Sequence, residues 1–208
     1  HPEEKIKQLQ VPFVLSTIGK AEVQAENGAS VSVDDFLESY KMTQYLIELG
    51  HDRIALITAP KEDKSIGSLR LLGYKKALED HGILYREELI QYMNAEEDRY
   101  SFRSGYKLAG KLLEKATFSA LYAVSDSLAI GACRALKEAG VSVPEQCSVA
   151  GFDGTEEGEF YIPKITTIRQ PVECIAKATA DILFDMILNK KPPRNIVFPG
   201  ELLPREST

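Results

Sequence analysis

ALYAVSDSLAIGACRALKEAGVSVPEQCSVAGFD, Ala120–Asp153, is the stretch whose reading decides the fold. Ala120–Val124 is a short apolar run that reads as a buried strand. Asp126–Ala139 carries the period of a helix, and Gly140 supplies its stop. Ser148–Phe152 is a second buried strand. A strand, a helix and a further strand in this order make a βαβ unit, which places two parallel strands under a crossover helix.

The same rhythm runs outward in both directions. Upstream, Val11–Ser16 reads as a strand and Asp34–Leu49 as a helix with Phe36, Tyr40, Thr43 and Ile47 on one face. Asp35 and Glu38 have the spacing of a capping box. Arg53–Thr58 is the next strand and Ser68–His81 the next helix, with Tyr74, Ala77, Leu78 and His81 aligned. Leu89–Tyr92 is a weak strand, and Ser101–Lys115 a helix expected to turn Phe102, Tyr106, Ala109 and Leu113 inward. Downstream, Pro171–Leu188 is a long helix with Ile175, Ala178, Ile182 and Met186 on one side, and Asn195–Arg205 is extended. Gly50, Gly82 and Gly140 each end a helix before a strand begins. The expectation is an α/β protein with parallel sheets covered by helices.

Composition excludes several classes. The chain has 208 residues, enough to bury a core without disulfides or metal. No apolar run is long enough to cross a bilayer. With Lys+Arg 25 against Asp+Glu 31 the net charge is −6, so the chain's own field repels nucleic-acid phosphate. Cys133, Cys147 and Cys174 are odd in number and lack ligand spacing, which argues for apolar filler in a reducing compartment rather than disulfides or zinc. His51 and His81 flank helix-ending glycines, where a cationic ring complements the helix dipole.

Motifs for chemistry fail in turn. Gly105–Lys111 reads G-x-x-x-x-G-K, but Leu112 stands where a phosphate loop needs Ser or Thr, and the segment lies inside a helix. No G-x-G-x-x-G follows a strand, and no G-x-S-x-G elbow occurs. No nucleophile–base pair, metal set or cofactor motif is evident, so the expectation is a protein that is not an enzyme and has no catalytic residues, metal or cofactor.

What remains is positional. In an open α/β sheet, ligands sit beyond the carboxyl ends of the strands. Ser125 and Asp126 follow one strand directly, Asp153 follows another, Arg70 lies on the connection after Arg53–Thr58, and Tyr100 on that after Leu89–Tyr92. A carboxylate, a guanidinium, a hydroxyl and an aromatic face on one rim suit a small polyhydroxylated ligand. Each residue also has a plainer reading: Asp126 as a helix cap, Asp153 as a turn residue, Arg70 as a surface helix residue and Tyr100 as packing.

Beyond these residues, the chain resembles the effector-binding core of LacI-type transcriptional repressors over nearly all of its length. The matching stretches are SVDDFLESYKMTQYLIELGHDRIALI (Ser32–Ile57), RLLGYKKAL (Arg70–Leu78), AVSDSLAIGACRALKEAGVSVPEQCSVAGFD (Ala123–Asp153), PKITTIRQP (Pro163–Pro171) and the terminal ELLPREST (Glu201–Thr208). Any one of these is weak; together and in this order they are specific. The resemblance implies two periplasmic-binding-protein-like, parallel-sheet subdomains joined by three crossovers, with an effector, commonly a sugar, in the cleft. It places Arg70 and Asp153 on effector-contacting positions and Tyr100 where an aromatic ring meets the ligand. Gln170 falls at a crossover near the cleft, and Ile130 and Tyr161 on positions used in dimer interfaces.

The same resemblance implies a cytoplasmic homodimer that senses a small carbohydrate and controls operator binding, with no membrane association. The alternative within this fold is a sugar-binding receptor of a transport system. Two departures stand out. Ser125 replaces the Asn common in sugar-binding members, which shortens the reach to a ligand. The helix-turn-helix headpiece and the first βαβ units have no counterpart, so the N-terminal subdomain is expected to be incomplete, comprising 1–50 and 169–197, against 51–168 and 198–208 for the C-terminal one. The chain opens at His1-Pro2 without Met, and a shortened product or dropped residues are the expected reasons.

Overall fold

The computed structural model describes residues 9–17, 25–63, 66–94 and 99–208. The chain forms two compact units: residues up to Asp34 with Gln170–Gly200, and Asp35–Arg169 with Glu201–Thr208. It therefore passes between them three times, after Asp34, Arg169 and Gly200, as the crossover expectation requires. The first passage falls at 34/35 and not at 50/51. The reason is packing: the helix Asp35–Glu48 lies against the helix Ile66–Asp80.

In the larger unit, β3 (Ile54–Thr58), β4 (Ile90–Tyr92), β5 (Ala120–Ala123) and β6 (Ser148–Ala150) form a sheet in the order β4-β3-β5-β6, and every pair is parallel. Leu56 faces Tyr122 across one ladder and Tyr122 faces Ala150 across the next. Every residue of β3, β5 and β6 is buried. That burial is why these segments read as unbroken apolar runs: a parallel strand is covered on both faces. The covering helices are α1 (Asp35–Glu48), α2 (Ile66–Asp80), α3 (Phe102–Lys115) and α4 (Asp126–Glu138), followed by the short α5 (Glu156–Phe160). The three stop glycines have φ of 96°, 66° and 76°, the left-handed region that a Cβ disfavours.

The motif letters now acquire causes. In R-x-x-G-Y, a Cβ on Gly73 would lie 2.2 Å from the Phe36 carbonyl oxygen, so glycine lets α2 approach α1. The Tyr74 hydroxyl donates to the Ile54 carbonyl at 2.8 Å. In the terminal REST, Ser207 is fully buried and stitches the end of the chain into the unit. Its N–H donates to Lys164 O at 3.0 Å and its hydroxyl to Val149 O at 2.6 Å, while its carbonyl accepts from Val149 N–H at 2.7 Å. The phosphate-loop look-alike is packing too. A Cβ at Gly105 would lie 2.1 Å from Leu128 O, and one at Gly131 2.0 Å from Phe102 O, so these glycines bring α3 and α4 together.

That close crossing corrects the expected face of α3. Ser104, Gly105, Leu108, Ala109 and Leu112 are buried, while Phe102 and Tyr106 are exposed and Leu113 is half-buried. On α1 the buried residues are Asp35, Glu38, Ser39, Met42, Thr43 and Leu46, with Phe36 exposed. The apolar letters suggested a stripe; the small residues that permit helix contact set the real one. The two capping-box residues also have longer-range and charged partners, Asp35 binding Arg70 and Glu38 pairing with Lys41 at 2.9 Å. His51 is not a dipole-bound cation. Burial lowers its pKa, and its ring nitrogens bond the Ser119 and Ser148 hydroxyls at 2.9 and 3.0 Å. His81 does meet its helix end, through Nδ1 and the Ala77 carbonyl at 2.8 Å. Cys133 and Cys147 are buried, their thiols pushed up to about 12 by burial, but Cys174 is exposed and is not filler.

Two strands had no clear sequence signal. β7 (Thr167–Arg169) pairs antiparallel with β9 (Glu201–Leu203), joining the TTIR stretch to the tail. In the smaller unit β2 (Gly28–Val33) lies between β1 (Phe13–Ser16) and β8 (Ile196–Phe198), all parallel. Its sequence, GASVSV, is small and polar yet fully buried. Ser30 tolerates this because its N–H and hydroxyl both donate to Asn195 Oδ1, at 3.0 and 3.2 Å. The helix α6 (Val172–Leu188) packs on β1 and β2 and buries Ile175, Ile182 and Met186.

Candidate functional site

The carboxyl edge of the larger sheet gathers the charged groups. Arg70, in the second turn of α2, is buried, with 6% of its side chain exposed. Its Nε–H donates to Asp35 Oδ1 at 2.8 Å, and Nη1–H donates to the Val124 carbonyl at 2.5 Å. Nη2 stands 3.8 Å from Asp153 Oδ1. The guanidinium carbon lies 3.5 Å from the centroid of the Phe152 ring, a cation–π contact. Burial alone lowers the pKa of this group, but the Asp35 and Asp153 carboxylates outweigh it and the net direction is upward. Arg70 is a fixed cation.

Asp153 directly follows the strand β6 and its Gly151-Phe152 extension. Its N–H donates to Ile168 O at 2.9 Å, and it bridges Arg169 in parallel register. Its φ is 109°, a sparsely populated conformation for a residue with a side chain. One third of the side chain is exposed. Tyr100, with φ of 55°, is held by an N–H bond to Met93 Sδ at 3.3 Å, just before Ser101 caps α3. Burial raises its phenol pKa; Arg70 opposes this and Asp63 and Asp153 add to it. The hydroxyl therefore stays protonated near neutrality.

Ser125 and Asp126 sit beside this group but are turned to structural tasks. The Ser125 hydroxyl caps α4, accepting from Leu128 N–H at 3.3 Å. Asp126 is fully enclosed, its N–H donating to Phe152 O at 2.8 Å and its Oδ2 accepting from Thr155 N–H at 2.7 Å. Oδ1 has no hydrogen-bond partner among the described residues. Burial raises the Asp126 pKa to about 6, Thr167 and Thr155 hold it down in part, and Asp153 pushes it further up. The carboxylate ties the loop after Asp153 to the start of α4. Of the five residues expected at the strand ends, Arg70 and Asp153 stand 3.8 Å apart, Tyr100 interacts electrostatically with both, Ser125 adjoins Arg70 through Val124, and Asp126 is enclosed.

Gln170 belongs to the other unit; it is half-buried and its carbonyl accepts from Val172 N–H at 2.9 Å. Ile130 on α4 and Tyr161 after α5 are both half-buried in the larger unit, and beside Tyr161 stand Phe160 and Ile162, 76% and 87% exposed. The sequence reading missed Asp35 and Phe152 as members of the cluster. The first signalled only a helix start and the second only a strand. Among the described residues no group of three or more His, Cys, Asp or Glu side chains could hold a metal ion, and no helix is long and apolar enough to cross a membrane.

Residues 43–208 match the model of a periplasmic binding protein-like domain. The HTH-type transcriptional regulator MalR of Clostridium butyricum is 33% identical over 208 residues, covering 99% of this chain and 60% of that protein. This chain thus spans less than two thirds of that relative. Among solved structures, the Escherichia coli transcriptional repressor ascG aligns with a TM-score of 0.80 at 31% identity, covering 100% of this chain and 73% of that one. A LacI family transcriptional regulator from Enterococcus faecium, with bound ribose, gives a TM-score of 0.80 at 30% identity, covering 95% and 70%. All three are transcriptional regulators by name. The chain belongs to the periplasmic binding protein-like domain family, in the form that this domain takes as the effector-binding core of LacI-type transcriptional regulators.

Proposed function

We propose that this chain is the effector-sensing and dimerisation core of a LacI-type transcriptional regulator, and that it binds a sugar or sugar derivative through Arg70, Asp153 and Tyr100. The observation that carries this is the Arg70–Asp153 pair at 3.8 Å, set over the Phe152 ring at the strand ends. A carboxylate that accepts ligand hydroxyls, a guanidinium that donates to ligand oxygens and a protonated phenol beside them recognise a polyol without reacting with it. The strained backbone at both Tyr100 and Asp153 supports a role in contact, since such strain persists where the surrounding structure holds a functional group in place. Ser125 and Asp126 act at one remove, by holding the start of α4 and the loop after Asp153. The bound ribose in the Enterococcus faecium regulator supports the same ligand class here.

In such a regulator, ligand favours one of two conformational states, and the shift in population reaches the operator-binding part, which this chain does not span. Ile130 and Tyr161, with the exposed Phe160 and Ile162, form the contact with a second copy. A place in the cytoplasm follows from that role. A thermal-shift screen across simple sugars tests the reading. A sugar that raises the melting point by mass action supports it, and a flat response from the whole panel contradicts it. By itself the chain, with its net charge of −6, is expected to show no specific operator binding in a gel-shift assay.

A further inference from the structure

The charge of the site points to the class of ligand it takes, an inference that rests on the effector-sensing reading above. Arg70 is the cation at its centre, and two of its three nitrogens already donate within the chain. Nε is bound to Asp35 and Nη1 to the Val124 carbonyl, while Nη2 stands nearest Asp153. Asp35 is 3% exposed and the Arg70 side chain 6%, so solvent screens this pair little. Tyr100 feels Arg70 and Arg99 against Asp63 and Asp153. Asp126, fully enclosed, adds further negative charge beside Asp153. Among the described residues of this cluster, carboxylates outnumber guanidiniums.

A phosphate brought to Arg70 meets a guanidinium that Asp35 has already neutralised, and it lies against the like charge of Asp153. A hydroxyl has no such conflict: it donates to Asp153 and accepts from Nη2 in one contact. Two ordinary ionised groups a few ångström apart in a partly dry site repel strongly enough to decide between ligands. We propose that Asp35 is a specificity-determining residue, which by binding Arg70 Nε makes the site select an uncharged polyhydroxylated ligand over its phosphorylated counterpart. Asp35 was expected only to start a helix; here it sets the charge of the group that meets the ligand.

Calorimetric titration of matched pairs tests this: ribose with ribose 5-phosphate, glucose with glucose 6-phosphate, cellobiose with its 6-phosphate. In any pair that binds, the uncharged member binds at least about tenfold more tightly. Tighter binding of a phosphorylated member overturns the charge inference and leaves the effector-sensing reading standing. Silence from every pair contradicts that reading and the inference with it. The variant Asp35→Asn keeps the size of the side chain and removes its charge, and it narrows the discrimination at least roughly threefold; an unchanged ratio removes Asp35 from the role. Should that variant fail to fold, Asp35→Ser serves instead, and a ratio equal to that of the unaltered chain overturns the proposal.

Discussion

The two units of this chain are built to different standards. In the larger one, β3, β5 and β6 are buried at every residue, and glycines at 73, 105 and 131 let helices approach backbone to backbone. In the smaller one β1 and β8 are only partly buried. Its long helix α6 buries three residues of seventeen and leaves Val172, Phe184, Ile187 and Leu188 exposed. The comparison teaches where stability and recognition reside. The charged cluster proposed to meet the ligand is held on the well-packed unit, so its geometry is set by a core and not by surface loops alone.

The comparison breaks most visibly under core mutation. Leu121→Ala, on the fully buried β5, lowers unfolding free energy by about 2–5 kcal/mol in denaturant titration. A loss below that range denies the larger sheet its central place. Arg70→Ala is expected to cost about 3–5 kcal/mol as well, because it strands the buried Asp35 carboxylate. Gly105→Ala follows at about 1–3 kcal/mol, since its methyl meets the Leu128 carbonyl and must push α3 from α4.

Two pH effects sharpen the picture further. The folded-state pKa of Asp126 is raised to about 6, so the folded chain binds this proton more tightly than the unfolded one. Its contribution to stability is therefore highest at acid pH and declines as pH rises from about 4 to about 6. Asp126→Asn removes that slope and raises stability at pH 7 by about 2 kcal/mol, measured by melts across pH. His51 acts in the opposite sense on the same axis. Its pKa is lowered by burial, so its contribution is complete above the ordinary value near 6.5 and is lost as pH falls below it. Smallest of all, Phe184→Ala on the exposed side of α6 changes stability by no more than about 0.5 kcal/mol.

Legibility in the sequence followed the same divide. Buried parallel strands such as Ile54–Thr58 and Ala120–Ala123 announce themselves as apolar runs, and Gly50, Gly82 and Gly140 mark helix ends because a positive φ demands them. Gly28–Val33 was invisible because its buried Ser30 is satisfied by a residue far along the chain, Asn195, which no local pattern reveals. The faces of α1 and α3 were misjudged because small residues at helix crossings outrank aromatics there. For the site, strand-end placement proposed Arg70, Tyr100 and Asp153, of which Arg70 and Asp153 stand 3.8 Å apart. It missed Asp35 and Phe152, whose partnership with Arg70 exists only once three segments fold together. It also gave Asp126 a rim position that full burial takes away.

The central claim is that Arg70, Asp153 and Tyr100 form a sugar site, and Asp153→Ala tests it most directly, since this side chain is partly exposed and supports little of the core. Isothermal calorimetry compares the variant with the unaltered chain, using the sugar that gives the largest rise in melting point. The account predicts binding by the unaltered chain and at least roughly tenfold weaker binding by the variant, from loss of a charge-assisted hydrogen bond. Equal affinity in the two proteins would contradict it.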